Sequence, residues 1–171
     1  MVLALAGASA CGSGAGGGAP SVTSAPSAVE PNAVVDRIVD GDTIDVLIDG
    51  DVERVRLIGI DTPEVAREAF ADRPAQETEC FGDEASAFTA SLLAEGDAVR
   101  LERDVVPRDD FGRLLAYVYR ASDGVLVNYE IVRQGYAQPL TIPPNVAYAD
   151  LMVEAARGAE ADDAGLWSAC S

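Results

Sequence analysis

The sequence predicts an α+β domain built on a small five-stranded β-barrel with three helices. Three observations predict it. Five short segments carry the apolar–polar alternation or the β-branched composition of strands, and apolar residues recur at helical spacing in three further segments. After a start rich in small residues, about 140 residues remain, which is the usual size of one domain with a single core.

The first three predicted strands follow one another closely, at 34–39, 43–48 and 52–60. The tetrapeptide IDGD supplies the Asp/Gly turn that joins the second and third strands in a hairpin. Alternation in the third strand places Arg56 on the same face as Val52 and Arg54. A charged group in that setting needs a partner, which a nearby carboxylate or a ligand phosphate provides.

The remaining elements alternate between helix and strand. A polar segment over 65–79 is expected to form a loop beside the site. The predicted elements after it are a helix over 82–96, strands over 98–106 and 114–120, a short helix over 127–135 and a longer helix over 145–163. A five-stranded barrel with a helix inserted after the third strand matches an OB-type fold.

The start of the chain predicts export. Residues 1–11 hold a short apolar run that ends in ASAC, which is similar to the lipobox of bacterial lipoproteins, so Cys11 is the expected site of lipidation. Plain secretion and a disordered tail are the alternatives. Residues 12–32 are rich in Gly, Ala, Ser and Pro and are expected to form a flexible tether, followed by the folded domain at 33–171.

The chain has three cysteines. If Cys11 carries a lipid, Cys80 and Cys170 remain, and outside the cytoplasm such a pair tends to form a disulfide. The bridge would connect the extreme C-terminus to the middle of the domain. The alternative is two unrelated buried thiols.

Composition excludes several kinds of site. The chain contains no histidine, so histidine bases and histidine metal ligands are absent, and its basic residues are all arginine, so a Walker P-loop lysine is absent too. The formal net charge of −17 argues against binding nucleic acid through a broad basic surface. It is compatible with a bound divalent cation, and any phosphate site must be local.

One set of side chains is suited to phosphodiester cleavage. Asp42 and Asp61 end separate strands and would repel each other unless a cation lies between them, and oxygen ligands without histidine favour calcium or magnesium. Glu64 follows a rigid proline and is placed to hold a water molecule. Arg56 and Arg113 supply forked donors for phosphate oxygens.

Six segments then resemble the thermonuclease (staphylococcal nuclease-like) family in order and spacing. They are VDGDT, VRLIGIDTPE, CFGDEASAFT, DDFGRLLAYVY, VNYEIVRQGYA and GLWS, which together cover roughly 34–168. The resemblance implies a five-stranded OB-fold barrel with three helices. It also implies calcium-dependent hydrolysis of DNA and RNA at the bond to the 5′ oxygen, leaving 3′-phosphate ends.

The resemblance also implies roles for individual residues. Asp42, Asp61 and the backbone carbonyl of Thr62 match the calcium ligands of the family. Glu64 matches its water-activating glutamate, and Arg56 and Arg113 match its phosphate-binding arginines.

The chain departs from the family pattern at the substrate side. Thr141 and Pro143 stand where its best-known members carry tyrosines that stack on nucleotides. Asp109, Asp110 and Phe111 precede Arg113, where those members place a lysine and a tyrosine. Stacking on an aromatic ring contributes ~1–3 kcal/mol per base, so weaker substrate binding is expected, with Tyr136 or Phe111 as candidate replacements.

The functional prediction is therefore an exported, monomeric, calcium-dependent nuclease acting on DNA, RNA or both, lipid-anchored at the outer face of the cell membrane or secreted. Two alternatives remain from the sequence. One is a catalytically silent OB-fold module that binds a ligand or a protein. The other is a surface lipoprotein that binds calcium without hydrolysing anything.

Overall fold

The computed structural model describes residues 27–69 and 74–170 of the 171-residue chain. The predicted lipidation site Cys11, the leader over 1–11 and most of the tether lie outside the described residues, as do residues 70–73 of the polar loop. The strands are β1 (Ala33–Ile38), β2 (Thr43–Ile48), β3 (Asp51–Leu57), β4 (Gly59–Asp61), β5 (Ala98–Glu102), β6 (Leu114–Arg120) and β7 (Gln138–Leu140). The helices are α1 (Gly82–Leu92), α2 (Val127–Arg133), α3 (Ala149–Ala161) and α4 (Leu166–Ala169).

Five strands close a barrel in the order β1-β2-β3-β6-β5, with β5 pairing back onto β1. The pairings are antiparallel except between β3 and β6, which run parallel. Because α1 and β5 lie between β3 and β6 in the chain, the helix is inserted after the third barrel strand, as expected. The predicted α+β fold with a five-stranded OB-type barrel is confirmed.

Apolar and polar residues alternate along the strands because their side chains point in turn into the barrel and to its surface. On β3, Val55 and Leu57 are fully buried, while Arg54 and Arg56 face the other way. Because side chains of a strand point to opposite faces in turn, a single strand both fills the core and carries arginine outward. Helices α2 and α3 pack together and add Ile131 to the same core.

The third predicted strand is divided in the structure. β3 ends at Leu57, and Gly59 adopts a positive φ of 84°, which turns the chain out of the barrel. β4 then pairs with β7, an element that the sequence analysis missed, and Asp61 lies opposite Gln138. A three-residue strand is too short to show alternation, so pattern alone could not find β7.

The helix ends also differ from the prediction. Helix α3 begins at Ala149 rather than at 145, and α4 was not predicted, since four residues hold barely one turn. Near the other end of the chain, Asn32 of the predicted tether exchanges two hydrogen bonds with the backbone of Leu101. In the part of the chain that the structure describes, no helix is long and apolar enough to cross a membrane.

The two expected bridge cysteines are close together. The sulfur atoms of Cys80 and Cys170 lie 1.99 Å apart, at disulfide distance, and the two residues are 90 positions apart in the chain. The bridge joins the residues just before α1 to the residue just after α4.

Candidate active site

Asp42 and Asp61 converge on the guanidinium of Arg56. Nη1 of Arg56 lies 2.9 Å from Oδ2 of Asp42, and Nη2 lies 2.8 Å from Oδ1 of Asp61. The two carboxylates therefore sit against one planar group, although they come from the start of the β2–β3 hairpin and from the end of β4. The predicted partner of Arg56 is thus a pair of carboxylates.

The backbone around β3 holds Arg56 in this position. Arg56 pairs in register with Thr43, so its side chain emerges beside the turn that carries Asp42. Nη1 also donates to the carbonyl oxygens of Leu57 (2.8 Å) and Ile60 (3.0 Å), where the chain leaves the barrel. With only 13% of its side chain exposed, Arg56 is a fixed donor rather than a mobile surface charge.

Asp42 is a buried carboxylate. Its Oδ2 accepts a hydrogen bond from the backbone N–H of Thr62 (3.0 Å), and its Oδ1 accepts one from the hydroxyl of Thr43 (3.1 Å). Burial raises its pKa from 3.8 to about 6, and the nearby carboxylates of Asp40 and Asp61 add to the rise against the opposing effect of Arg56. An acid held in its charged form against such a shift is typical of a functional site.

The turn that carries Asp42 is locked to its surroundings. The hydroxyl of Thr89 on α1 donates to the carbonyl of Gly41 at 2.6 Å, and both groups are buried. A Cβ on Gly41 would lie 2.6 Å from Oγ1 of Thr62, so only glycine permits the close approach of these two segments. Helix α1 thereby anchors the turn, and the hydrogen bond from Thr62 to Asp42 joins the two segments.

Glu64 is exposed, and the charges of Asp40 and Arg56, which also act on Asp42, reach its carboxyl. Partial desolvation raises the pKa of its carboxyl, and the negative charge of Asp40 raises it further. Its backbone is held on both sides: the N–H donates to Oε2 of Glu79 (3.2 Å), and the carbonyl accepts from the N–H of Glu79 (2.9 Å). The elevated pKa moves the carboxyl towards the range in which general bases work best at neutral pH.

Arg113 and Arg56 line one cavity of ≈ 420 Å³ on the side of the barrel. Arg113 is oriented by Asp109, whose Oδ2 accepts from Nε at 2.7 Å and whose Oδ1 accepts from the backbone N–H of Arg113 at 2.9 Å. Arg113 lowers the pKa of Asp109, although burial opposes the effect, so the carboxylate stays charged. The structure thus brings both predicted arginines to one concave surface.

The two candidate replacements for the stacking tyrosines lie in different surroundings. Tyr136 stacks on Phe88 with ring centroids 4.0 Å apart and also contacts Phe81 at 5.1 Å, so its faces are engaged in an internal cluster. Phe111 lines the cavity, is 74% exposed and lies 5.5 Å from the guanidinium carbon of Arg113. Pro143 lies in the same cavity wall.

The family model described as staphylococcal nuclease homologue matches residues 54–169, which is more than half of the chain and runs from within β3 to the end of α4. The chain belongs to the staphylococcal nuclease homologue family. The thermonuclease resemblance seen in the sequence is therefore confirmed.

Curated relatives of this staphylococcal nuclease homologue cover most of its length. It is 38% identical to a thermonuclease of Staphylococcus intermedius over 78% of this chain and 74% of that protein. It is 35% identical to a thermonuclease of Staphylococcus hyicus, over 77% of this chain and 73% of the relative. Endonuclease YncB of Bacillus subtilis is 34% identical over 80% of this chain and 62% of its own length.

The donor set of this staphylococcal nuclease homologue suits a hard cation. No group of three or more Asp, Glu, Cys or His side chains within 27–69 and 74–170 is arranged to hold a metal ion. The two carboxylates of Asp42 and Asp61, next to the backbone of Thr62, are oxygen donors of the type that calcium takes, with water and substrate oxygens completing its six to eight ligands. The residue types present are therefore compatible with calcium, and in the structure Arg56 pairs with both carboxylates.

Sequence reasoning missed several residues that shape the site of this family member. Asp109 was noted only as a departure from the family pattern, yet it orients Arg113. Glu79 was placed in a polar loop, yet it holds the backbone of Glu64. Thr89 was read only as part of a helix. The DGDT motif was a signal for a tight turn, but the helix residue that contacts it lies 48 positions away from Gly41 and leaves no local pattern.

Proposed function

We propose that this chain is a calcium-dependent nuclease that hydrolyses phosphodiester bonds of DNA, RNA or both. The observation that carries the proposal is the position of Arg56, which contacts the carboxylates of Asp42 and Asp61 and lines the same cavity as Arg113. Arg56 thus links the acidic donors to the cavity that Arg113 lines. The names of the relatives, thermonuclease and endonuclease, support the same activity.

Asp42, Asp61 and the carbonyl of Thr62 would hold the ion, and the calcium would supply positive charge at the bound phosphate. Arg56 is paired with the same two carboxylates, so an ion held there would share their negative charge with the guanidinium. The fork of Arg56 would then be available to donate to phosphate oxygens. Arg113 would donate to the phosphate from the other side of the cavity.

Glu64 would act as the general base that takes the proton from the attacking water. Its raised pKa makes it a better proton acceptor than an ordinary surface carboxylate. Bond breakage to the 5′ oxygen would then leave a 3′-phosphate.

A digestion assay tests the proposal. The purified chain should degrade DNA or RNA with calcium, lose this activity in a chelator and lose it on the Glu64→Gln substitution, with 3′-phosphate ends on the products. A wild-type chain that cleaves neither nucleic acid would exclude the nuclease. Calcium binding without cleavage would then favour the calcium-binding surface lipoprotein, and absence of both would favour the silent module, which the absence of the stacking tyrosines at Thr141 and Pro143 supports.

Asp42→Asn should change the pH dependence of stability in the calcium-free protein. The folded-state pKa of Asp42, about 6, lies above its ordinary value of 3.8, so its contribution to stability is complete below that value and is lost as pH rises through about 6. Charging the buried carboxyl costs about 3 kcal/mol, a cost that asparagine avoids. In urea titrations with chelator, the variant should gain up to that amount relative to wild type between about pH 4 and about pH 7.5.

With calcium at neutral pH the order should reverse, because the ion stabilises the wild type and not the variant. A stability difference that does not change with pH in the chelator would show that Asp42 is not the buried titrating group described above.

Phe111→Ala should raise KM roughly tenfold, because Phe111 presents the exposed aromatic face beside Arg113 and base stacking contributes ~1–3 kcal/mol. Phe111→Tyr should keep KM near the wild-type value. Val105→Ala, which removes another exposed apolar side chain close in sequence, serves as the control. Equal KM values for Phe111→Ala and Val105→Ala in steady-state kinetics would show that Phe111 does not contact the substrate.

We further propose that the chain works outside the cell membrane as a monomer, anchored through a lipid on Cys11 or secreted. The small-residue leader and the cysteine pair at disulfide distance support this placement. Mass spectrometry of the mature protein distinguishes a lipidated from a free N-terminus.

A further inference from the structure

The segment that carries Glu64 is attached to the domain mainly through polar contacts. In 63–69 and 74–81, no side chain is buried. Segments without buried apolar contacts open locally at low free energy. The position of Glu64 therefore depends more on specific hydrogen bonds than on buried side chains of the segment, in which Phe81 contributes a ring contact with Tyr136.

Glu79 supplies those hydrogen bonds. Its carboxylate accepts from the N–H of Glu64, and its own N–H donates to the carbonyl of Glu64. The carbonyl of Glu64 also faces Gly82 so closely that a Cβ on Gly82 would collide with it. The backbone of Glu64 is thus pressed against residues 79–82 at the start of α1.

Cys80 is the next residue in the chain, and its bridge partner is anchored in the domain. Cys170 donates its N–H to the carbonyl of Leu166 (3.0 Å), and Leu166 is buried and donates to the carbonyl of Gly135 (2.8 Å) at the end of α2. The bridge thereby connects Glu79, through the neighbouring Cys80 and then Cys170, to Leu166 in the helical core. It also lines, with Asp61, one wall of a cavity of ≈ 280 Å³.

We propose that the Cys80–Cys170 disulfide, acting through Glu79, positions Glu64 for catalysis. Cys80, Cys170 and Glu79 are positioning residues: none needs to touch substrate or calcium. The inference depends on the proposed function, in which Glu64 is the base. Because small displacements of a reacting group lower rates steeply, loss of the bridge is expected to lower kcat about tenfold or more.

The first test replaces both cysteines, as Cys80→Ser with Cys170→Ser, after mass spectrometry has shown the bridge in the wild-type protein. The variant should show the loss of kcat, while KM and the calcium concentration at half-maximal thermal stabilisation stay within about twofold of wild type. Assays are run well below the lowest melting temperature. Val99→Ala, which leaves a cavity in the barrel core, is the control for general destabilisation and should keep the wild-type kcat.

The second test keeps the bridge and removes the link. Glu79→Ala should lower kcat by a similar factor. Glu79→Gln should keep most of the wild-type kcat, because its amide oxygen still accepts a hydrogen bond from the N–H of Glu64. Glu79→Ala added to the double-serine variant should lower kcat little further. This series remains informative if the double-serine variant does not fold.

A third measurement does not depend on activity. Hydrogen exchange at the amide of Glu64 should be slow in wild type and Glu79→Gln, and fast in Glu79→Ala and in the double-serine variant. An unchanged kcat in the folded double-serine variant, unchanged exchange at Glu64, or free thiols at Cys80 and Cys170 in the exported protein would each overturn the proposal. An inactive wild type with the predicted exchange pattern would instead refute the nuclease function alone.

Discussion

Glu64→Gln should lower kcat about a thousandfold, within the ~10²–10⁴ range expected for loss of a general base. Glutamine has nearly the same shape but cannot accept a proton from water. The backbone hydrogen bonds that hold residue 64 come from its N–H and carbonyl, so they survive the substitution. KM and calcium affinity should therefore remain near their wild-type values, and single-turnover kinetics at saturating calcium measures the effect.

Glu68→Gln is the matched control, because Glu68 is an exposed carboxylate in the same segment. It removes one negative charge from the same region and should leave kcat within about twofold. Equal rates for Glu64→Gln and wild type would mean that another group activates the water or that the measured activity comes from a contaminant.

Arg113→Lys should lower kcat about a hundredfold, since loss of one well-placed donor to a developing charge costs ~10²–10³ in rate. Lysine keeps the positive charge and the backbone hydrogen bond to Asp109, but it lacks the Nε donor and the planar fork. It therefore loses the side-chain contact to Asp109 and cannot bind phosphate through two parallel bonds. The calcium dependence should not change. The pattern of a reduced kcat with an unchanged calcium midpoint identifies a phosphate donor.

Arg157→Lys provides the comparison, as Arg157 forms an exposed ion pair with Glu154 on α3. It should behave as wild type. If Arg113→Lys also behaves as wild type, then charge alone accounts for Arg113, and the geometric role proposed here for its guanidinium is wrong.

The barrel was predictable because each of its features has a local signature. The alternation over β3 put Val55 and Leu57 inside, and the Asp/Gly turn before it set the hairpin register, in which Thr43 pairs with Arg56. β7 escaped prediction because three residues carry no period. Gly59 gave no warning either, since an isolated glycine in a strand is compatible with several local geometries.

The candidate site was predictable in its residue types and not in its contacts. That Asp42, Asp61 and Arg56 belong together followed from the chemistry of carboxylates and guanidinium. The sequence did not predict that Asp109 orients Arg113, that Glu79 holds Glu64, or which aromatic ring lines the cavity. The sequence gives no sign of which acidic residues are solvated and which form hydrogen bonds, because that depends on where each carboxylate lies in the folded chain.

The sequence by itself determined the barrel, the identity of the acids and arginines that carry the proposed chemistry, and the pair of cysteines available for a bridge. These depend on periodicity, composition and motif spacing, which are properties of neighbouring residues. Only the tertiary structure decided the pKa of Asp42, the shared guanidinium of Arg56 and the path from Cys170 to Glu64. Desolvation and hydrogen-bond geometry depend on distances between segments far apart in the chain, and those distances are set when the helices pack on the closed barrel.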